Sequence, residues 1–187
     1  MPQKKPVAKS AVKKLKAEKI KEEPLLLQPP RGMKDILPTE QPYWEQVRRT
    51  SERLARDYGY LRMDTPLLEY ANLFTRNIGE STDIVEKEMY AFTTRGGDKV
   101  ALRPELTAGN CRSYIQNGMQ VLSKPVKIFS TGPVYRYDRP QAGRYREHYQ
   151  INFDAFGEQD PILDAQMIQV ASRLIQALGI KSIQLQM

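Results

Sequence analysis

YRYDRPQAGRYREHYQINFDAFG, residues 135–157, is the stretch on which the fold turns. Arg136 and Asp138 close one apolar run, a basic turn follows from Arg139 to Arg146, and a second run carries Gln150 and Asp154. In the return run His148, Gln150, Asn152, Asp154 and Phe156 alternate with Tyr149, Ile151, Phe153 and Ala155. That period of two predicts an antiparallel hairpin with one apolar face for packing and one polar face turned to a cleft. Alternation alone equally describes a structural hairpin with a solvated face. Arginines at 136, 139, 144 and 146 tip the balance, because planar guanidinium forks suit phosphate and carboxylate.

Outward from the hairpin, Lys127–Tyr137 reads as its entering strand. Residues 86–109, EKEMYAFTTRGGDKVALRPELTAG, read as strand, Gly96-Gly97 turn, strand, and a helix after Arg103-Pro104. Glu105 at that helix start favours the macrodipole, and Thr107 reads as a local cap. RGMKDILP (31–38) opens the domain. A helix is predicted from Thr39 as N-cap through Tyr58, with Trp44, Val47, Leu54 and Tyr58 near helical spacing and Gly59 as its stop. Tyr60–Pro66 reads as a short strand ended by proline. Asp160-Pro161 starts a last helix whose apolar face is Ile168, Ala171, Ile175 and Leu178, with Gly179 after it. IKSIQLQM then alternates through Ile183, Leu185 and Met187 as a further strand, without a closing turn, which reads as a truncated domain.

These features together resemble class II aminoacyl-tRNA synthetases. The 135–157 stretch is similar to their motif 2, and its RPQ-x-GRYR-x-x-x-Q turn resembles the histidyl-tRNA synthetase family in particular. RGMKDILP with the long helix and the strand ending at Pro66 resembles motif 1, which in that family forms the homodimer interface; on sequence grounds the helix is simply amphipathic. The resemblance spans residues 31–187. It implies an α+β fold, an antiparallel sheet flanked by helices, and the reaction of histidine with ATP to histidyl-adenylate, followed by transfer to tRNA(His). It further implies Mg2+ with the ATP.

The resemblance also implies roles. Arg136 contacts the α-phosphate and the substrate carboxylate, as the catalytic cation, and Arg144 holds the far end of the triphosphate. Asp138, at a position usually glutamate, fixes the adenine side, and His148 stands where phenylalanine usually stacks on adenine. Arg139 and Gln141 approach the acceptor end of the tRNA. Glu105 and Thr107 hold the amino group of histidine. With Gln150 and Asp154 they select it, Asp154 accepting from an imidazole N–H. No metal ligands are expected. The family's second catalytic arginine, its motif 3 and its anticodon-binding domain have no counterpart here, so the chain alone is expected to be inactive. The rival reading is a synthetase-like regulatory subunit that binds histidine and activates ATP phosphoribosyltransferase. Retention of Arg136, Arg144 and the RPQ turn favours the synthetase.

Composition bounds the rest. A length of 187 residues with 40% hydrophobic content suits one soluble core. No apolar run nears the roughly 20 residues that span a bilayer. One cysteine, Cys111, excludes an internal disulfide and fits a reducing cytoplasm, where it reads as a partly buried structural thiol. Of the net charge of +7, residues 1–23 supply +5, with eight lysines against three glutamates. The basic pI therefore describes a tail. Residues 1–30 are expected to be a disordered basic segment and proline-rich linker, either solubilising or attracted electrostatically to an RNA backbone.

Overall fold

The computed structural model describes residues 27–78, 88–139, 141, 143–182 and 184–186. The expectations for the Lys-rich tail, and for Ile183 and Met187, lie outside them.

The chain runs α1 (Gln41–Asp57), β1 (Leu61–Arg62), β2 (Leu68–Tyr70), α2 (Ala71–Ile78), β3 (Ala91–Thr93), β4 (Lys99–Leu102), α3 (Thr107–Gln116), β5 (Val126–Tyr135), β6 (Glu147–Phe156) and α4 (Pro161–Ala177). Two three-stranded sheets result. One has the order β1-β5-β6, with β1 parallel to β5; the other, β2-β4-β3, is wholly antiparallel. The fold is α+β, with antiparallel sheet flanked by helices.

β5 and β6 pair over ten residues each, from Val126 opposite Phe156 to Tyr135 opposite Glu147. Phe129, Thr131 and Pro133 therefore share a face with Phe153, Ile151 and Tyr149. This is the apolar face, and it packs on α1 and α4: Ala55, Tyr60, Phe129 and Val170 are buried together, flanked by Leu54, Tyr58, Ile151, Phe153 and Met167. Ile128, Ser130, Gly132 and Val134 share the opposite face with Asp154, Asn152, Gln150 and His148. Phe74, Ala101 and Ala108 form a second buried cluster beneath α2, β4 and α3.

The ends of the helices follow their chemistry. Gly59 takes φ +76°, a conformation costly for any residue with a Cβ, and its N–H closes on Arg56 O. Asp160 caps α4 by accepting from Ile162 N at 2.9 Å, with Pro161 in the first turn.

Several expectations need correction. The N-cap of α1 is Glu40 and not Thr39: Glu40 Oε2 accepts from Leu37 N at 3.2 Å, which folds the entering turn back on itself. Only Leu61 and Arg62 of the Tyr60–Pro66 run pair as a strand. Arg136 and Asp138 lie beyond the end of β5, in the connection to β6, although Arg136 N still donates to Arg146 O. On α4 the buried residue is Val170, with Met167 packed beside it; Ile168, Ala171 and Ile175 instead line a groove with Lys181 and Leu185. The described residues of 180–186 form no strand, since none of them pairs with a neighbouring strand and a strand exists only by its ladder. Strand β2 and helix α2 were not anticipated.

Candidate active site

The polar face of the β5–β6 hairpin carries two groups of functional side chains. At the Asp154 end, α3 crosses the sheet. Thr107 and Asn110 stand three residues apart on that helix, so they share a face and reach the same carboxylate. Thr107 Oγ1 donates to Asp154 Oδ1 at 3.3 Å; Asn110 Nδ2 and Asn152 Nδ2 each donate to Oδ2 at 2.7 Å. Asn110 Nδ2 also donates to Ser130 Oγ at 2.8 Å. Burial pushes Asp154 above the ordinary carboxylate range, and the donors Asn110, Thr107 and Asn152 pull against it.

Glu105 sits just ahead of α3, where its carboxylate accepts from Thr107 N and from Ala108 N at 2.9 Å. The helix-start reading of Glu105 is correct as far as it goes. A carboxylate offers about four acceptor sites, so two remain for a ligand. Thr107 itself is exposed beside it.

At the other end a cleft of about 410 Å³ is lined by Glu88, Arg136, Asp138, Gly143, Arg144, Tyr145 and His148. Arg136 Nε donates to Pro104 O at 2.9 Å, and among the described residues neither terminal nitrogen of this cleft-lining side chain has a hydrogen-bond partner. Arg144 is two-thirds exposed and pairs with Asp138 at 3.0 Å, so these two expected site residues hold each other. His148 has an unpartnered, buried Nδ1. Burial first, then the charge of Arg136, lower its pKa, while a backbone hydrogen bond at Tyr145 raises it. Burial and Arg136 thus favour the neutral imidazole, the form that stacks on an aromatic ring at least cost.

His148 stands opposite Val134 and Asp154 opposite Ile128, six residues apart along the strand, or roughly 20 Å at about 3.3 Å per residue. Gln150 lies between them, opposite Gly132 on the same face. Arg139 and Gln141 are at the exposed turn: Arg139 N donates to Asp138 Oδ1 at 2.6 Å, and Gln141 bridges Arg144 through backbone bonds. They join neither group. The turn is fastened at its base, where Arg146 N donates to Gly32 O at 2.7 Å and the Arg146 guanidinium lies 3.9 Å over the Tyr137 ring.

Sequence reasoning missed the supports. Arg103 is buried, donating from Nε to Pro133 O at 3.0 Å and from Nη1 to Thr65 O at 2.8 Å. A Cβ on Gly132 would come within 2.5 Å of its Nη2, so glycine there is what lets the guanidinium lie against β5. Asn110 and Ser130 are also buried. The spacing of Asn110 from Thr107 was the one available signal for its role. Cys111, half-buried on α3, matches its structural reading, and burial raises its pKa.

Among the described residues no cluster of three or more His, Cys, Asp or Glu could hold a metal ion, and no helix is long and apolar enough to cross a membrane.

Comparison with known proteins gives the chain's family. A histidine–tRNA ligase from Dehalococcoides mccartyi is 54% identical over 162 residues, covering 87% of this chain and 39% of the relative. One from Desulforamulus reducens is 46% identical over 156 residues, 83% of this chain and 37% of the relative. The crystal structure of apo S. aureus histidyl-tRNA synthetase superposes with a TM-score of 0.71 at 32% identity, over 83% of this chain and 36% of that one. A Bacillus halodurans protein titled ATP phosphoribosyltransferase regulatory subunit/histidyl-tRNA synthetase gives 0.73 over 86% of this chain and 40% of that one, at 21% identity, a likeness of fold alone. The chain spans about two-fifths the length of the curated relatives it matches. With the histidyl-tRNA synthetase family model matching residues 32–187, the chain belongs to that family.

Proposed function

We propose that this chain supplies the amino-acid and triphosphate contacts of a histidine–tRNA ligase, an enzyme that joins histidine to ATP as histidyl-adenylate and passes it to tRNA(His). The observation that carries the reading is Arg136, whose Nε bond to Pro104 O ties a residue of the arginine-bearing cleft to the segment that begins the Glu105–Thr107–Asp154 group.

The chemistry follows from that arrangement. A histidine carboxylate oxygen attacks the α-phosphorus, the new P–O bond forms, and the bond to the β-phosphate breaks to release pyrophosphate. Two anions must approach each other, so a fixed cation at their meeting point does most for the rate. The free end of Arg136 supplies it. Arg144 takes the far phosphates when it exchanges Asp138 for them, and His148 and Asp138 flank the adenine. Glu105 and Thr107 take the ammonium group; Asp154 accepts from the imidazole, and Gln150 lies along the path between. A site built to hydrogen-bond both ring nitrogens discriminates strongly against analogues that leave it unpaired. Transfer to the tRNA hydroxyl then releases AMP, with Arg139 and Gln141 at the exposed turn as acceptor-end contacts. Mg2+ would come with the phosphates of ATP, which it binds through oxygen; among the described residues, Glu88 and Asp138 are the carboxylates that line the cleft.

Residues 31–187 are read as the N-terminal portion of the catalytic core, following a basic segment 1–30. Homodimerisation through α1 is supported by an adjoining groove of about 430 Å³ lined by Tyr43, Trp44, Val47, Tyr149 and Ile151. Cytoplasmic location fits the lone cysteine. The regulatory-subunit alternative is the weaker reading, because both arginines of a triphosphate site are present. Histidine-dependent ATP–pyrophosphate exchange by the full-length protein is the test. Exchange with histidine and with no other amino acid is expected, and histidine binding without any exchange would favour the regulatory subunit.

A further inference from the structure

We propose that Asn110 is a positioning residue for histidine selection: it fixes the Asp154 carboxylate so that Oδ1 is the oxygen offered to the imidazole. This rests on the reading of Asp154 as the ring acceptor.

The geometry distributes the donors unequally. Oδ2 receives two at 2.7 Å, from Asn110 and Asn152, whereas Oδ1 receives only Thr107 Oγ1 at 3.3 Å. Oδ2 is filled, and Oδ1 retains its capacity. Asn110 is fully buried, and its two amide hydrogens have two acceptors, Asp154 Oδ2 and Ser130 Oγ. Its own Oδ1 is buried with no partner among the described residues. The amide orientation is therefore dictated by the acid and not by its own acceptor, since a flipped amide would set oxygen against oxygen. Ser130 stands opposite Asn152 in the β5–β6 ladder, so the anchor is part of the sheet. An unpaired buried carbonyl costs stability that a purely structural asparagine would avoid. What the other end of the amide holds accounts for that cost. Asn110 is also the strongest of the three donors that favour the charged form of Asp154 against burial.

The test is pyrophosphate exchange by the full-length protein, comparing wild type, Asn110→Ala, Asp154→Asn and the double variant. Asn110→Ala is expected to raise KM for histidine about tenfold, the scale of one lost hydrogen bond to a charged group, with KM for ATP within about twofold of wild type. The acid limb of kcat/KM for histidine should move to higher pH, because Asp154 loses a donor to its ionised form. In the Asp154→Asn background the same substitution should add little, as expected when one residue acts through another. Equal rises in both KM values, an unmoved acid limb, or full additivity would overturn the proposal. If Asp154→Asn itself leaves histidine KM unchanged, the reading of Asp154 fails instead. Asn110→Ser, which keeps a hydroxyl near Ser130 but not the reach to Asp154, gives the same comparison if the alanine variant does not fold.

Discussion

Arg136 is fastened to Pro104, its Nε 2.9 Å from the carbonyl oxygen, one residue before Glu105. The bond joins the β5–β6 connection to the segment that starts α3, so the cation is positioned relative to the amino-acid group by backbone and not by a mobile ion pair. Of the guanidinium's five donors, one is spent on placement and the terminal fork is left for chemistry.

Replacement of Arg136 by alanine should reduce ATP–pyrophosphate exchange of the full-length protein by roughly a hundredfold or more, the usual scale for one preorganised charge-stabilising donor. Arg136→Lys should recover little. An ammonium cannot both hold Pro104 O and present a fork. Near-normal exchange in both variants would remove Arg136 from the reaction.

The sole histidine of the chain makes its titration unambiguous. Burial and Arg136 hold His148 below its usual 6.5. The unfolded chain thus takes up this proton first as pH falls. Stability from this group is intact above about pH 6.5 and declines as pH drops through the folded pKa. Proton NMR of the imidazole should give a midpoint below 6.5, and Arg136→Ala should raise it by removing the neighbouring charge. A midpoint that ignores Arg136→Ala would separate the two side chains.

Asp154 has the opposite sign. Its folded pKa is raised above 3.8, so the folded chain holds the proton longer than the unfolded chain does. The contribution of this group to stability therefore decreases as pH rises from about 3.8 through the folded value, and is level above it. Thermal midpoints of wild type and Asp154→Asn, taken across that interval, should differ in slope, with the asparagine variant flatter. Parallel curves would mean that the donors fully offset burial.

A methyl at position 132 would meet Arg103 Nη2 at 2.5 Å, and that guanidinium is pinned by two carbonyl oxygens. Gly132→Ala should cost about 1–3 kcal/mol, the range for forcing one extra carbon into a packed interior. Chemical denaturation reads the loss directly. A change under about 0.5 kcal/mol, the range of surface substitutions, would show that Arg103 moves aside freely.

What could be read from the sequence was whatever local chemistry repeats or punctuates. The alternation of residues 148–156 gave the polar and apolar faces of β6, Gly59 and Asp160-Pro161 marked helix ends, and RPQ-x-GRYR carried the family. β2 has only three residues, and its pairing with β4, 30 to 34 positions on, is what makes it a strand. Asn110 meets Asp154 across 44 positions, and Arg103 meets Pro133 across 30. No local pattern encodes such contacts. The stripe on α4 was misplaced because several apolar residues lie around that helix and only its tilt against β5 and β6 decides which are covered. The Arg144–Asp138 pair went unforeseen for a similar reason: two residues with separate expected duties are brought together by the path of the turn.

The ten-pair ladder between β5 and β6 also constrains how this protein can change over generations. A slip of β6 by one residue against β5 would send Asp154, Asn152, Gln150 and His148 to the α1–α4 side and turn Phe153 and Ile151 to the polar face, and one residue added or lost within β6 would do this to the part of the strand on one side of it. The same event at the exposed tip, near Gln141 and Gly143, would leave every one of those pairings in place. Inherited length variation should therefore collect in the turn while the strands keep a fixed count, so the tip can diversify without disturbing the polar face of the hairpin.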